Sequence, residues 1–541
     1  MRRSVTIAAD STDDNFGRPA SAAAWQNMIA GLRSNALPIA VTLGALLAGA
    51  IYTWIMGEDA NWDWQNYHEY NVWAVLNGRY DLDAMPAGFQ TYFNPAVYFP
   101  VYYLRHLLPP PVGLVIIGAV HGLNLALVYW LTRVLLGNAS TMFAVAASIL
   151  IAAFGPMTLS EVGTSFSDIL TALPIVAGFA LILSADGSDR LRTLLAGLLI
   201  GAAVGLKLTN VVFALGAAAA VLLTARPLLA LTCLGLGGAI GAIATGGAWS
   251  LMLWREMGNP IFPLFNGVFQ SRELQPINIM DTQFMPRGIR DALMYPFYWL
   301  VGDNRSSEYP FRDARFAVAM VLVMFGIAAR LARRVAIFTH RDVQFFVLFA
   351  VSYAAWLGLF SIQRYAIVLE LMCGPLIVLL ISRVMTHARG GSSMPANAVM
   401  VSVAVVIALW SQPGDWWRRP WSDPYRPAIS APLSQPATFV LLDKPLAYVA
   451  PLLPPGSRFY QIADIALPVL PDGKFDRRIR AGLADPLPGG MWELHIRDKP
   501  FALNLLGRFG LAVDLSQSCV AIEGAQIGTA IAACPLVMRE K

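Results

Sequence analysis

The stretch LLAGLLIGAAVGLKLTNVVFALGAAAAVLLTARPLLALTCLGLGGAIGAIATGGAWSLMLW, Leu194–Trp254, carries only the charges of Lys207 and Arg226. A single membrane crossing takes about 20 mostly apolar residues, so this run holds several crossings. The rest of the chain agrees. Of its 541 residues, 56% are hydrophobic and 13% charged, and the mean hydropathy is +0.55. That charged share is about half the globular norm, too little to solvate a soluble surface of this size. A cytosolic enzyme and a disordered chain are excluded. The net charge of +5 is small and not gathered into a basic patch, so no nucleic-acid partner is expected. The class is a polytopic α-helical membrane protein.

Eleven apolar runs qualify as spans, near 35–56, 112–135, 139–156, 167–184, 192–206, 209–225, 228–253, 316–331, 343–360, 366–384 and 396–411. Arginines fall in alternate short loops: Arg133, Arg190 and Arg192, Arg226, then Arg330, Arg333, Arg334 and Arg341, then Arg383 and Arg389. By the positive-inside bias these loops are cytoplasmic. The expected division is a cytoplasmic segment 1–34, a transmembrane domain 35–412 with outer loops 57–111 and 255–315, and an outer domain 413–541. The last region has turn signals at Pro454-Pro455-Gly456, Pro471-Asp472-Gly473 and Gly489-Gly490, and reads as a small soluble α/β or β domain. Its Cys519 and Cys534 are expected to pair if it faces an oxidising compartment. Cys233 and Cys373 sit in apolar runs and read as core residues.

The first outer loop is the richest in chemistry. Asn61-Trp62-Asp63-Trp64-Gln65-Asn66-Tyr67-His68-Glu69-Tyr70-Asn71-Val72-Trp73 is too polar to span and unusually aromatic. It predicts an amphipathic helix over 64–77 lying on the outer leaflet, closed by Asn77-Gly78. Asp63 reads either as its N-cap or as a catalytic carboxylate beside the bilayer. Further acids stand in the short turn Glu161-Val162-Gly163-Thr164-Ser165-Phe166-Ser167-Asp168. Each reads as a turn or cap residue, or as part of a cluster with Asp63 that orients a hydroxyl or holds a divalent cation, Mg or Mn. Lys207, at an outer turn, reads as a snorkelling anchor or an anion ligand. Arg364, at an outer helix start, makes with it a plausible phosphate pair, with Glu370 as an alternative partner for either. His68 and His121 read as hydrogen-bonded polar residues. No His cluster suggests zinc.

These features resemble the GT-C superfamily of membrane glycosyltransferases. Asn77-Gly78-Arg79-Tyr80 followed by Tyr92-Phe93-Asn94-Pro95 is similar to the G-x-Y … Y-x-x-P run of the bacterial polyprenyl-phosphate-dependent mannosyl- and arabinosyltransferase-like members. Gly258-Asn259-Pro260-Ile261-Phe262-Pro263 and Gln363-Arg364-Tyr365 also resemble runs of those proteins. The resemblance implies a hexosyl- or pentosyltransferase in the bacterial inner membrane. It would move a sugar from a polyprenyl-phosphate carrier to a glycan, lipid or protein acceptor on the periplasmic face. Carried over, Asp63 is the base and Glu161 or Asp168 the second acid. Lys207 and Arg364 bind the lipid phosphate, and Tyr365, His68, Glu69, Arg79 and Tyr92 complete the substrate site. The family's tight acidic pair in the first loop is read as missing here, Asp63 having only Glu69 near it. A transporter or flippase, and a polymerase or ligase of lipid-linked saccharides, are the competing readings. Gathering of charge at outer helix ends rather than mid-membrane favours the enzyme over a transporter.

Overall fold

The computed structural model of the chain describes residues 20–539 except 186–188, 304, 334–336, 389–393, 422–429, 463, 465–468, 498–502 and 523–530. Much of the segment 1–34, together with Arg334, Arg389 and the linker at 390–393, lies outside the described residues.

The chain is mostly helical, and each apolar run falls on a helix. Among the described residues 6 helices are long and apolar enough to cross a membrane: Ala36–Met56, Pro110–Ala139, Ser167–Ser184, Pro227–Met257, His340–Leu359 and Gln363–Met385. Met142–Ala153, Leu208–Val221 and Met394–Trp410 are apolar but shorter. At about 1.5 Å per residue, the 12 residues of Met142–Ala153 fall short of a hydrocarbon core. The glycines of the Leu194–Trp254 stretch let its helices touch. A Cβ on Gly201 would lie 2.0 Å from the Gly238 carbonyl oxygen, so Arg190–Leu206 and Pro227–Ala242 meet backbone to backbone. The helix Ile367–Ala388 is the buried axis, and its Leu369, Met372, Cys373 and Ile377 join the central apolar core.

The C-terminal region builds a mixed sheet. Thr438–Leu441 lies parallel to both Arg458–Gln461 and Met491–Ile496. Ile531–Met538 then pairs antiparallel with Met491–Ile496, Leu511–Val513 and Val520–Ile522. A disulfide joins Cys519 and Cys534. Alternation along one strand gives the sheet two apolar faces. Phe439 and Leu441 pack with Trp64, Tyr67 and Tyr70 of the first loop, while Val440 and Leu442 pack with Tyr92, Phe262 and Phe475. The loop also bridges to the sheet edge: Ala84 N–H donates to Phe459 O at 3.0 Å, and Gln461 N–H to Ala84 O at 2.9 Å.

This packing corrects the leaflet-lying helix expected over 64–77. The segment is helical, as a π-turn Trp64–His68 followed by Glu69–Leu76. Its aromatic side chains bury against the sheet rather than against lipid. Its side-chain amides are buried too, and their NH2 groups donate inside the protein. Gln65 donates to Ala60 O at 2.7 Å and Asn66 to Gln90 Oε1 at 2.6 Å. Loop and sheet therefore share one core over the ends of the helices.

Candidate active site

Three loops and two helix starts converge at one end of the bundle. Asp63, 5% exposed, opens the helical turn Trp64–His68 but does not cap it. The cap is Asn61, whose Oδ1 accepts the Trp64 N–H at 2.8 Å. Asp63 is thereby free for another partner. Its Oδ2 accepts from the Arg364 guanidinium and from the Tyr67 hydroxyl, the latter at 3.2 Å. Burial pushes the Asp63 carboxyl upward, but the charge and hydrogen bond of Arg364, with the charge of Lys207, outweigh it and hold the group below its ordinary value.

Asp168 stands in the first turn of Ser167–Ser184, where the helix dipole favours an anion. Both its carboxylate oxygens accept from Lys207 Nζ at 2.7 Å. Lys207 lies between Arg190–Leu206 and Leu208–Asn210. The two acid–cation pairs abut through Tyr365, whose ring lies 4.5 Å from Lys207 Nζ and 5.3 Å from the Arg364 Cζ. Arg364 also lies over Phe166 and Trp416, and its Nε has no hydrogen-bond partner among the described residues.

Glu161, 1% exposed, ends the short helix Pro156–Glu161. Its Oε2 accepts the Ile169 N–H at 3.1 Å, and its Oε1 has no partner among the described residues. Burial, then the negative charge of Asp168, drives its pKa well above the carboxylate range, against Lys207 and Arg364. His68 stacks on Tyr98 with ring centroids 4.0 Å apart and shares a 2.9 Å hydrogen bond with Ser165 Oγ. Burial lowers its pKa to about 3, so it is uncharged.

Asp63, Glu161, Asp168, Lys207, Arg364, Tyr365 and His68 are thus brought together, and Glu69, Arg79 and Tyr92 are not. Glu69 bonds His106 at 2.6 Å and the Trp64 indole at 3.2 Å. Tyr92 is packed among Phe262, Phe475 and Tyr80. Arg79 grips Asp83 with two bonds, 2.9 and 2.7 Å, and reaches Ser457 O beneath the sheet. Removing one side of such a buried pair strands the other charge. Arg79→Ala is expected to cost about 3 kcal/mol, read as a lower thermal unfolding temperature and faster amide exchange in Arg458–Gln461. Glu370 partners neither Lys207 nor Arg364. It meets Arg315 at 3.2 Å, and Arg315 also meets Asp313 at 2.6 Å.

The sequence reading passed over a second acidic pair in the first loop. Glu58-Asp59 directly follows the first span, and its position one residue beyond Gly57 was the signal to find it. Asp59 accepts from Asn61 Nδ2 at 2.7 Å and the Ser165 N–H at 2.8 Å, with Arg105 3.8 Å away. It ties the first loop to the turn that bears Glu161 and Asp168.

Asp63 and Asp168 each already face a lysine or arginine. The described trio of close ligating side chains, Glu493, His495 and Cys534, is in the sheet, and its Cys534 is disulfide-bonded. A separate cavity of about 490 Å³, lined among others by Gly137, Ala185, Arg341 and Arg383, lies at the opposite ends of the same helices.

Residues 92–361 match the model of Glycosyltransferase family 87. The matched region includes Glu161, Asp168 and Lys207 and stops short of Asp63 and Arg364. No curated protein sequence matches the chain. Among solved structures, the chain is similar to ArnT from Cupriavidus metallidurans bound to undecaprenyl phosphate, with 12% identity over 93% of this chain and 98% of that one and a TM-score of 0.41.

Proposed function

We propose, from the match of residues 92–361 to the model of Glycosyltransferase family 87, that the chain moves a hexose or pentose from a polyprenyl-phosphate carrier to an acceptor hydroxyl at the periplasmic face of the bacterial inner membrane. The observation that carries this reading is the pair of acid–cation contacts, Asp63–Arg364 and Asp168–Lys207, meeting at Tyr365. Sugar transfer needs a base for the acceptor proton and positive charge where the phosphate departs. A lipid-linked donor keeps its phosphate at the headgroup level, the depth of a helix end.

In this mechanism the donor phosphate takes the fork of Arg364 and the ammonium of Lys207. Asp63 then loses its counter-charge, and its basicity rises as the donor arrives. It accepts the acceptor's hydroxyl proton while that oxygen attacks the anomeric carbon from the face opposite the phosphate. The carbon–oxygen bond to the phosphate breaks, and its electron pair leaves on the polyprenyl phosphate. The configuration inverts in one displacement. Asp168, freed from Lys207, and Glu161 line the sugar side. The lysine and arginine supply the charge a divalent cation would otherwise bring, so the transfer is metal-independent.

The test is a donor panel of polyprenyl-phosphate-linked mannose, glucose and arabinose, supplied to the purified full chain in lipid nanodiscs with membrane-lipid and glycan acceptors. Release of polyprenyl phosphate with glycosylated acceptor is expected from one donor, and excess EDTA is expected to leave the rate within about twofold. Lipid-linked sugar crossing a liposome bilayer without any glycosyl transfer would instead support a flippase.

A further inference from the structure

The C-terminal region reaches the site through a short strap that lies beyond the family-matched residues. After the helix Met394–Trp410 the chain pairs Arg418–Arg419 antiparallel with Glu58–Asp59, at the head of the first loop. Ala60 N–H donates to Trp417 O at 3.2 Å. Inside this ladder the Arg418 guanidinium spreads over two segments. Nη1 donates to Gly57 O and to Gly163 O at 3.3 Å each. Nη2 donates to Val162 O, and to Ser160 O at 3.5 Å. All four of these acceptors are main-chain carbonyls.

The backbone is shaped to present them. Gly57 and Gly163 hold φ of +85° and +75°, the left-handed region that glycine adopts freely. A Cβ on Gly57 would sit 2.0 Å from Arg419 O, and one on Gly163 would sit 2.2 Å from Thr53 Oγ1. The strap makes further contacts with the same turn. Ser160 Oγ donates to Gly414 O at 3.1 Å. Trp416 meets Phe166 edge-on at 5.2 Å and underlies the Arg364 guanidinium at 5.8 Å. The turn held in this way carries Glu161 and leads straight into Asp168.

We propose that Arg418 is a positioning residue of the transfer site. Its fork locks the Ser160–Gly163 turn to the head of the first loop and so sets Glu161 and Asp168 beside Asp63. This inference rests on the function proposed above. A planar fork can join carbonyls of two segments at once, whereas a lysine presents a single point of charge.

The experiment compares Arg418→Lys, Arg418→Ala and Arg419→Ala in the full chain, using the panel donor that the parent turns over. Arg418→Lys is expected to lose about tenfold in kcat with KM within about twofold. Millimolar guanidinium is expected to restore part of the Arg418→Ala rate and to leave the parent unaffected. Arg419→Ala is expected to match the parent. Parent-like kcat in Arg418→Lys, or a loss confined to KM, overturns the proposal. So does aggregation of both Arg418 variants, which would make the residue a folding element. Asp63→Asn run alongside separates the two claims. A dead Asp63→Asn beside an unimpaired Arg418→Lys defeats only this inference, whereas a fully active Asp63→Asn defeats the site reading beneath it.

Discussion

Asp63→Asn should lower kcat by about 10³-fold, the scale of a lost general base, with the protein still monodisperse and helical. The substitution preserves shape and removes the proton-accepting charge. Arg364 loses its counter-charge in that variant, but the fold of the loop rests on other bonds. Asn61 caps the helical turn, and Asp59 fastens the loop to Ser165. The pH profile carries a second signature. In the free protein Asp63 is held below its ordinary 3.8, so it is already a carboxylate above about pH 4. The kcat/KM that needs this carboxylate is lost only as pH falls through that depressed value. Glu161 behaves oppositely. Its pKa is raised by burial and by Asp168, and a role as neutral acid is lost as pH rises through that elevated value. Glu161→Gln, which keeps a donor and cannot ionise, should remove the alkaline fall in kcat/KM. An alkaline limb unchanged in that variant would assign it to another group.

Arg364→Gln should raise the Kd for polyprenyl phosphate by about tenfold to a hundredfold, as expected for hydrogen bonds to a charged group worth about 1.5–3 kcal/mol. Isothermal titration in nanodiscs measures it. Arg364 is half-buried against Phe166, Tyr365 and Trp416, so a phosphate meeting it is partly shielded from water and bound more strongly than at an open surface. Arg364→Lys should recover little of the affinity, because bidentate geometry as well as charge is lost. Lys207→Gln should weaken binding less, since Lys207 must first leave both oxygens of Asp168. An Arg364→Gln protein with parental affinity would remove Arg364 from the phosphate site.

The helical membrane class was legible because so few charges interrupt Leu194–Trp254. Asp63, Lys207 and Arg364 were legible for a related reason, since a charge among apolar and aromatic neighbours stands out. Their pairing was not legible. Asp63 and Arg364 are 301 residues apart in sequence, and no local pattern encodes that contact. Arg79 and Tyr92 misled for the same reason, as part of what occupies them, Ser457 and Phe475, comes from the far end of the chain. The aromatic first loop looks alike whether its rings meet lipid or a sheet. Only the unbroken apolar run Phe439-Val440-Leu441-Leu442 hints that a sheet apolar on both faces is available to cover it. Arg418 gives no sequence signal at all, because its acceptors are backbone carbonyls.

An experimental map of the full chain with bound decaprenyl phosphate tests the central claim most directly. The phosphate is expected within hydrogen-bond reach of both the Arg364 guanidinium and Lys207 Nζ, with the Asp63 carboxylate released toward the sugar side. A phosphate seated elsewhere, with Asp63–Arg364 and Asp168–Lys207 both still closed, would contradict it.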